Sequence, residues 1–467
     1  MKYLVGLVLI LLIAAGGAYL VAGRMTPPSI TIEKPEKFVG GASPLEVAIS
    51  APDAPAMTPL RVVFEQNGKQ TTLFSLDAPG KAQIKQEGAD KVRITHEIGK
   101  QLMPDLQSGP AKIIVTAGRP VMRGIRTLVS TSTKDVQVRL ERPRVAVIST
   151  HHYVNLGGTE MVVYRATPDD VESGVLVGDV EYPGYPAAGA TVDGVQIKDP
   201  AVRVAFFALL FDQDVNTPMR VYARDPAGNT ARADFDHRTF PKPFKKSRIP
   251  LDPKLLDRVV PAILEGTADF RPEGDTLAKF LAINGELRRK NAEKIASFAK
   301  QTSPEMLWRG IVFHPFTNSA VESAFADHRT YVYQGKEVDR QVHLGFDLAS
   351  LAGTPVVVAN RGKVLFADEL GIYGNCVIVD HGMGVQSLYA HLSSIEVQAG
   401  QTVEKEQILG RSGMTGLAGG DHLHFTMLVN GRMVNPVEWW DSHWIEDRIL
   451  RKLRTAGGSG TAAPPDR

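Results

Sequence analysis

His343-Leu-Gly-Phe-Asp347 and, far downstream, His422-Leu-His424 are the two short stretches on which the reading of this chain turns. Together they can supply two imidazoles and one carboxylate to a single metal ion, the kind of donor set that leaves a catalytic zinc a fourth position open to water. His422 and His424 are two residues apart, so on a strand both project from one face, about 6.6 Å apart along the chain. One can then act as ligand and the other as catalyst. His343 and Asp347 are four apart, too far for one ion on a fully extended chain, and Gly345 between them offers a bend. A helix would also bring them together, but Gly345 and the strand-like Thr354-Pro-Val-Val-Val358 predict a loop-and-strand setting. The chain has no His-Glu-Xaa-Xaa-His motif, so histidines must fill the proton-transfer part that a glutamate fills there. Of the 12 histidines, those at 343, 381, 391, 422 and 424 crowd into this one region, which leaves His391 and His422 for chemistry.

The rest of the composition bounds the setting. At 467 residues the chain is too long for one ordinary core, and two to four domains are expected. With 43% hydrophobic and 22% charged residues it reads as globular, and a net charge of +2 gives no signature of a nucleic-acid partner. The single cysteine, Cys376 in Asn375-Cys-Val-Ile-Val379, cannot form an internal disulfide and reads as a small buried apolar residue. After Lys2, Tyr3 to Gly23 carries no charge and is long enough to span a bilayer. Residues 1–26 are therefore expected to be a transmembrane anchor in the lipid bilayer, with a signal peptide cut near Ala22 or Gly23 as the alternative. Either way the remainder is placed outside the cytoplasm, in periplasm or cell wall.

Residues 27–142 read as a β-rich sandwich-like domain from runs such as Leu60-Arg-Val-Val-Phe64, Lys112-Ile-Ile-Val115 and Val136-Gln-Val-Arg-Leu140. Residues 143–240 repeat the style, with Val145-Ala-Val-Ile148, Val202-Arg-Val-Ala-Phe-Phe207 and Met219-Arg-Val-Tyr-Ala223. The turn Asp225-Pro-Ala-Gly-Asn229 comes next, and the phrase from Val221 to Asn229 resembles the closing hairpin of bacterial immunoglobulin-like modules. Adjacent His151 and His152 would point to opposite faces of a strand and could not chelate together. Residues 241–310 open with a basic, proline-containing joint and continue as a helical connector. Asp252-Pro253 opens one helix and Asp275 another, in which Leu277, Phe280, Leu281, Leu287, Ile295 and Phe298 recur at helical spacing. Residues 311–446 return to short strands, and 447–467 are expected to be a disordered tail.

The segment from His343 to Pro436 resembles the lysostaphin-type zinc metallopeptidases that cut peptidoglycan peptides. The resemblance runs in order through Gly353-Thr-Pro-Val356, Gly362-Lys-Val364, Tyr373-Gly-Asn375, Asp380-His-Gly382, Tyr389-Ala-His-Leu392, Gly400-Gln-Thr-Val403, Gly413-Met-Thr-Gly416, His422-Leu-His-Phe425 and Asn435-Pro436. It implies an antiparallel β barrel-sandwich, the duplicated hybrid motif, as the C-terminal fold of a mainly β chain. It implies His343, Asp347 and His424 as ligands of one Zn2+ per catalytic domain, and His391 and His422 as the catalytic pair. The implied function is a membrane-anchored, exported metalloendopeptidase acting on peptidoglycan peptides, with cell-envelope protein partners open to the β modules. Asn318 and Arg329 match the family's opening strand, where Ala326 replaces its glycine, and Tyr331, Tyr333 and Tyr373 could line a peptide groove. The alternative is a non-hydrolytic cell-wall binding or activating partner of another hydrolase; such relatives lack ligands that this chain retains.

Overall fold

In the computed structural model, described over residues 2–52, 57–194, 196–308 and 312–458, the fold is mainly β. An N-terminal helix covers Lys2–Ala22, and its Val5–Ala22 stretch is long and apolar enough to cross a membrane. The contacts divide the chain into two compact units, Met1–Pro143 with Arg224–Thr230, and Arg144–Ala223 with Ala231–Arg467.

The first unit pairs a four-stranded sheet with a five-stranded one. Its long hairpin, Gly109–Val121 with Arg126–Val138, alternates buried and exposed residues, and Ile113 and Val115 meet Val47, Ile49, Phe64, Phe74 and Ile94 in one core. One boundary differs from the sequence reading. The turn Arg224–Thr230, assigned above to 143–240, clusters with the first unit instead. Asn229 Nδ2 donates to Arg139 O at 2.9 Å, and Ala227 O approaches Gly40 so closely that a Cβ there would have no room.

In the second unit, residues 144–223 and 231–240 contribute two four-stranded sheets and a short parallel pair, His152–Asn155 with His237–Phe240. They do not form a core of their own. Phe206, Phe207 and Met161 belong to the same cluster as Trp308, Phe313, Trp439 and Phe425 of the C-terminal half. The predicted disordered tail is also corrected. Glu446–Leu450 and Arg451–Ala456 are helical, with Ile449 and Leu453 buried, and buried Lys452 pairs with fully buried Glu160 at 2.8 Å. The apolar periodicity of this short segment was outweighed in the sequence by its charges and by the adjoining Gly/Ser run. Residues 459–467 of that expectation lie outside the described residues.

The C-terminal half is built on an eight-stranded antiparallel sheet that includes Ala320–Ser323, Phe346–Ala349, Leu423–Val429, Val385–Leu392, Asn375–Gly382 and Gly362–Glu369. Its central strands are buried on both faces, which explains their nearly continuous apolar runs. Side chains alternate across the sheet. Val377, Val379, Tyr389, Phe425 and Met427 turn toward the large core, whereas Cys376, Ile378, Leu388, Ala390 and Leu428 turn toward the connector helices. Those helices run Pro253–Gly266, Thr276–Ala282 and Arg288–Ser297, with Asp252 and Asp275 accepting the capping backbone N–H at the first two. Leu256, Val259, Val260, Ile263, Phe280, Ile283, Leu287 and Ile295 form their buried stripe. The basic joint is not merely a linker, because Lys246–Pro250 pairs in parallel with Asp327–Tyr333.

The connector is thus half of a core rather than a detachable cover. Phe280→Ala should lower stability by about 3–5 kcal/mol, since it removes a buried ring packed at 5.9 Å from Tyr331. Equilibrium unfolding in denaturant would read this. A chain starting at residue 312 should be aggregation-prone, because Ile378, Leu388 and Leu428 would be exposed.

Candidate metal centre

Asp347 and His424 are opposite each other in the antiparallel pairing of Phe346–Ala349 with Leu423–Val429. His424 is in turn opposite Ala390 on the next strand, and Ser323 is opposite Asp347 on the outer one. His343 ends the strand Lys336–His343, and the chain returns through Leu344 and Gly345 into the strand bearing Asp347. Gly345 matters here for space rather than for a bend: its φ lies outside the left-handed region. A Cβ on it would lie 2.5 Å from the His424 ring.

The result is a tight triangle. His343 Nε2 lies 2.9 Å from Asp347 Oδ1 and 3.0 Å from His424 Nδ1, and His424 Nδ1 lies 3.0 Å from Asp347 Oδ1. Protons cannot satisfy it. His343 Nδ1 donates to Ala324 O at 3.2 Å, which leaves Nε2 to face the other two atoms. Burial pushes the His424 pKa down to about 4, and among the described residues its Nε2 has no hydrogen-bond partner. Burial by itself would raise the Asp347 carboxyl, but the imidazoles of His343, His422 and His424 hold it well below the usual range. Two imidazole nitrogens and a carboxylate oxygen, all in mutual contact, fit a divalent cation at their centre.

His391 reaches the site by a different device. Its parity with Tyr389 would send it into the opposite core. Between the pairs Val377↔Tyr389 and Asn375↔Leu392, however, Ala390 and His391 oppose Cys376 alone, and His391 has φ 62°. This β-bulge turns the ring back beside His422 and His424, with centroids 4.9 and 5.8 Å away. Backbone carbonyls then fix both spare histidines. His391 Nδ1 donates to Thr415 O at 2.8 Å and His422 Nδ1 to Gly420 O at 2.9 Å. Each therefore keeps Nε2 for the groove, and His422 Nε2 lies 3.5 Å from Asp347 Oδ1. Burial pushes the His391 pKa well below its ordinary value. For His422 the same penalty is outweighed by Asp347, which raises it.

Five predicted residues, His343, Asp347, His391, His422 and His424, therefore line one groove of about 750 Å³. Tyr331 and Tyr373 line it too, and Tyr373 packs edge-on against His424 at 5.7 Å. Arg329 donates from Nη2 to Asp347 Oδ2 at 3.0 Å and to Ser323 Oγ at 2.8 Å, so it holds the carboxylate from behind. Asn318 does not join them; it is exposed, with a left-handed φ of 55°, and lies outside the groove. His381 is a buried structural residue between Arg361 O at 2.8 Å and Ser387 Oγ at 2.7 Å. The supporting atoms that sequence reasoning missed, Ala324 O, Thr415 O and Gly420 O, are main-chain carbonyls and leave no residue-type signal.

Residues 341–436 match peptidase family M23. An uncharacterized metalloprotease of Haemophilus influenzae is 38% identical over 28% of this chain and 28% of its own length. The DD-carboxypeptidase/endopeptidase Mpg of Neisseria meningitidis is 42% identical over 21% of this chain and 22% of its own. The peptidoglycan DD-endopeptidase ShyA of Vibrio cholerae is 30% identical over 35% of each. The matched part thus spans about a fifth to a third of these relatives. The chain carries, at its C-terminal end, a domain of peptidase family M23.

Proposed function

We propose that this protein is an exported zinc metalloendopeptidase, anchored in the membrane by Lys2–Ala22, that hydrolyses peptide cross-links or bridges of peptidoglycan. The observation that carries this reading is the tight triangle of His343, Asp347 and His424 in a groove that also holds two oriented imidazoles. Relatives named as peptidoglycan DD-endopeptidases support the substrate class.

His343 Nε2, Asp347 Oδ1 and His424 Nδ1 would hold the zinc. When bound, it supplies Lewis-acid polarisation of a carbonyl and makes water acidic enough to ionise near neutral pH. The chain's own part is positional and protonic. Arg329 and Ser323 fix the carboxylate and the His343 ring, so the donor atoms are set in place before the ion arrives. His391 and His422, with Nδ1 committed to carbonyls, take a proton at Nε2 and return it to the leaving amine. The tyrosine-lined groove seats an extended peptide. The segment 27–142 is read as a module that positions the catalytic half, and the strands of 144–223 and 231–240 as a support sharing its core.

Digestion of purified peptidoglycan, with products read by mass spectrometry, tests this reading. Peptide release should require zinc, stop on chelation, and be absent in His424→Ala. His391→Ala should keep one zinc per chain yet lose roughly 100-fold or more in kcat, the scale of a positioned acid–base group. A chain that binds zinc at one per molecule but releases nothing would instead be a non-hydrolytic wall-binding partner. Gly345→Ala gives a sharper check on the metal. The added methyl displaces the His424 ring, so zinc affinity should fall at least tenfold while the unfolding transition stays nearly in place. Competition with a chromogenic chelator would measure it.

A further inference from the structure

Beyond the histidines, the groove has a wall that comes from the connector helices. Thr276–Ala282 and Arg288–Ser297 are joined by a π-turn, Ile283–Leu287. Such a turn carries an extra residue, rotates the next helical segment by about 100°, and recurs at functional sites. Arg288 is the first residue past it. With Gly285 and Ala292 it lines the groove that contains His343, Asp347 and His424.

The Arg288 guanidinium is held in place but not neutralised. Nε donates to Asn284 O at 3.1 Å and Nη2 to Asn284 Oδ1 at 2.6 Å. Asn284 is itself completely buried, and its Nδ2 donates to Asp339 Oδ2 at 2.7 Å. That bond fixes which way the amide faces, so its oxygen stays on Arg288. Among the described residues, no carboxylate lies within ion-pair distance of Arg288, and Nη1 has no hydrogen-bond partner. The neighbouring cations differ: Arg329 is engaged by Asp347, Arg289 by Glu293 at 2.5 Å, and Arg258 by Ala418 O at 2.7 Å. A planar fork held on one edge and open at its end is suited to bidentate capture of a carboxylate.

We infer that Arg288 is a specificity-determining residue that binds a free carboxylate on the peptide being cleaved, so that this groove selects acidic peptides over their amidated counterparts. The inference rests on the peptidase reading and adds to it a substrate preference set by the connector rather than by the matched family segment.

The test uses the zinc-loaded full chain on two preparations of the same cross-linked peptidoglycan peptides, one with free carboxylates and one with those carboxylates converted to amides. The wild type should prefer the free form by roughly 10- to 100-fold in kcat/KM, the range of a charge-assisted hydrogen-bonded pair. In Arg288→Met that ratio should fall to near one, through a higher KM on the free form, and Arg288→Lys should retain part of it. Zinc content and the unfolding midpoint establish that each variant is folded, and Arg288→Gln replaces the Met variant if that one is not. A wild-type ratio near one, or a ratio that survives in Arg288→Met or Arg288→Gln, overturns the inference while leaving the peptidase reading intact. Cleavage of neither preparation by the wild type overturns both.

Discussion

Two antiparallel strands, Phe346–Ala349 and Leu423–Val429, place Asp347 directly across from His424, and a third chain segment brings His343 into contact with both. Three lone-pair-bearing atoms held about 3 Å apart in a buried site are electrostatically costly without a cation. Much of the surrounding structure serves to keep them there. Arg329 braces the carboxylate, Ala324 O and Ser323 fix the His343 ring, and the missing side chain at Gly345 leaves room for the His424 imidazole. Strand registers are stiff because a slip of one residue would turn every buried side chain to the wrong face, so the donor atoms inherit the rigidity of the sheet.

The same sheet also accounts for the connector helices. Its central strands are apolar on both faces, and one face would be exposed without Leu256, Val260, Phe280 and Ile283 against Cys376, Ile378, Leu388 and Leu428. Packing therefore obliges the helices to cover that face. Once there, the π-turn at Ile283–Leu287 brings Arg288 to the rim of the metal groove. One element thus covers the sheet and, although it lies outside the matched family residues, lines the groove.

Much of the site is legible in the amino-acid sequence. Metal-ligating and proton-transferring chemistry would need particular side chains, and His343, Asp347, His391, His422 and His424 stand out as candidates that the fold does bring into one groove. Helix starts at Asp252 and Asp275 are legible for a similar reason: a side-chain acceptor leading into a helical apolar period is a local signal. The strand runs at 60–64, 112–115, 202–207 and 219–223 likewise fall within strands. The partner that each apolar stripe meets is not legible. A 3.6-residue period says that a face is buried, but not against which surface, so the connector looks detachable in the sequence. The turn Arg224–Thr230 looks like the end of its own module, and the helix through Glu446–Ala456 like the start of a tail.

The sequence by itself determined which side chains could serve as donors, the mainly β character and the apolar N-terminal helix, because each depends on residue type or local period. Only the tertiary structure decided how the donors converge. That His391 points into the groove comes from a bulge opposite Cys376, and that His391 and His422 offer Nε2 comes from the carbonyls of Thr415 and Gly420. Arg288 is open to the groove because buried Asn284 is turned by Asp339. Each of these depends on main-chain atoms or on residues distant in sequence. Their identity is the same for every amino acid, or uninformative alone, until the fold sets them side by side.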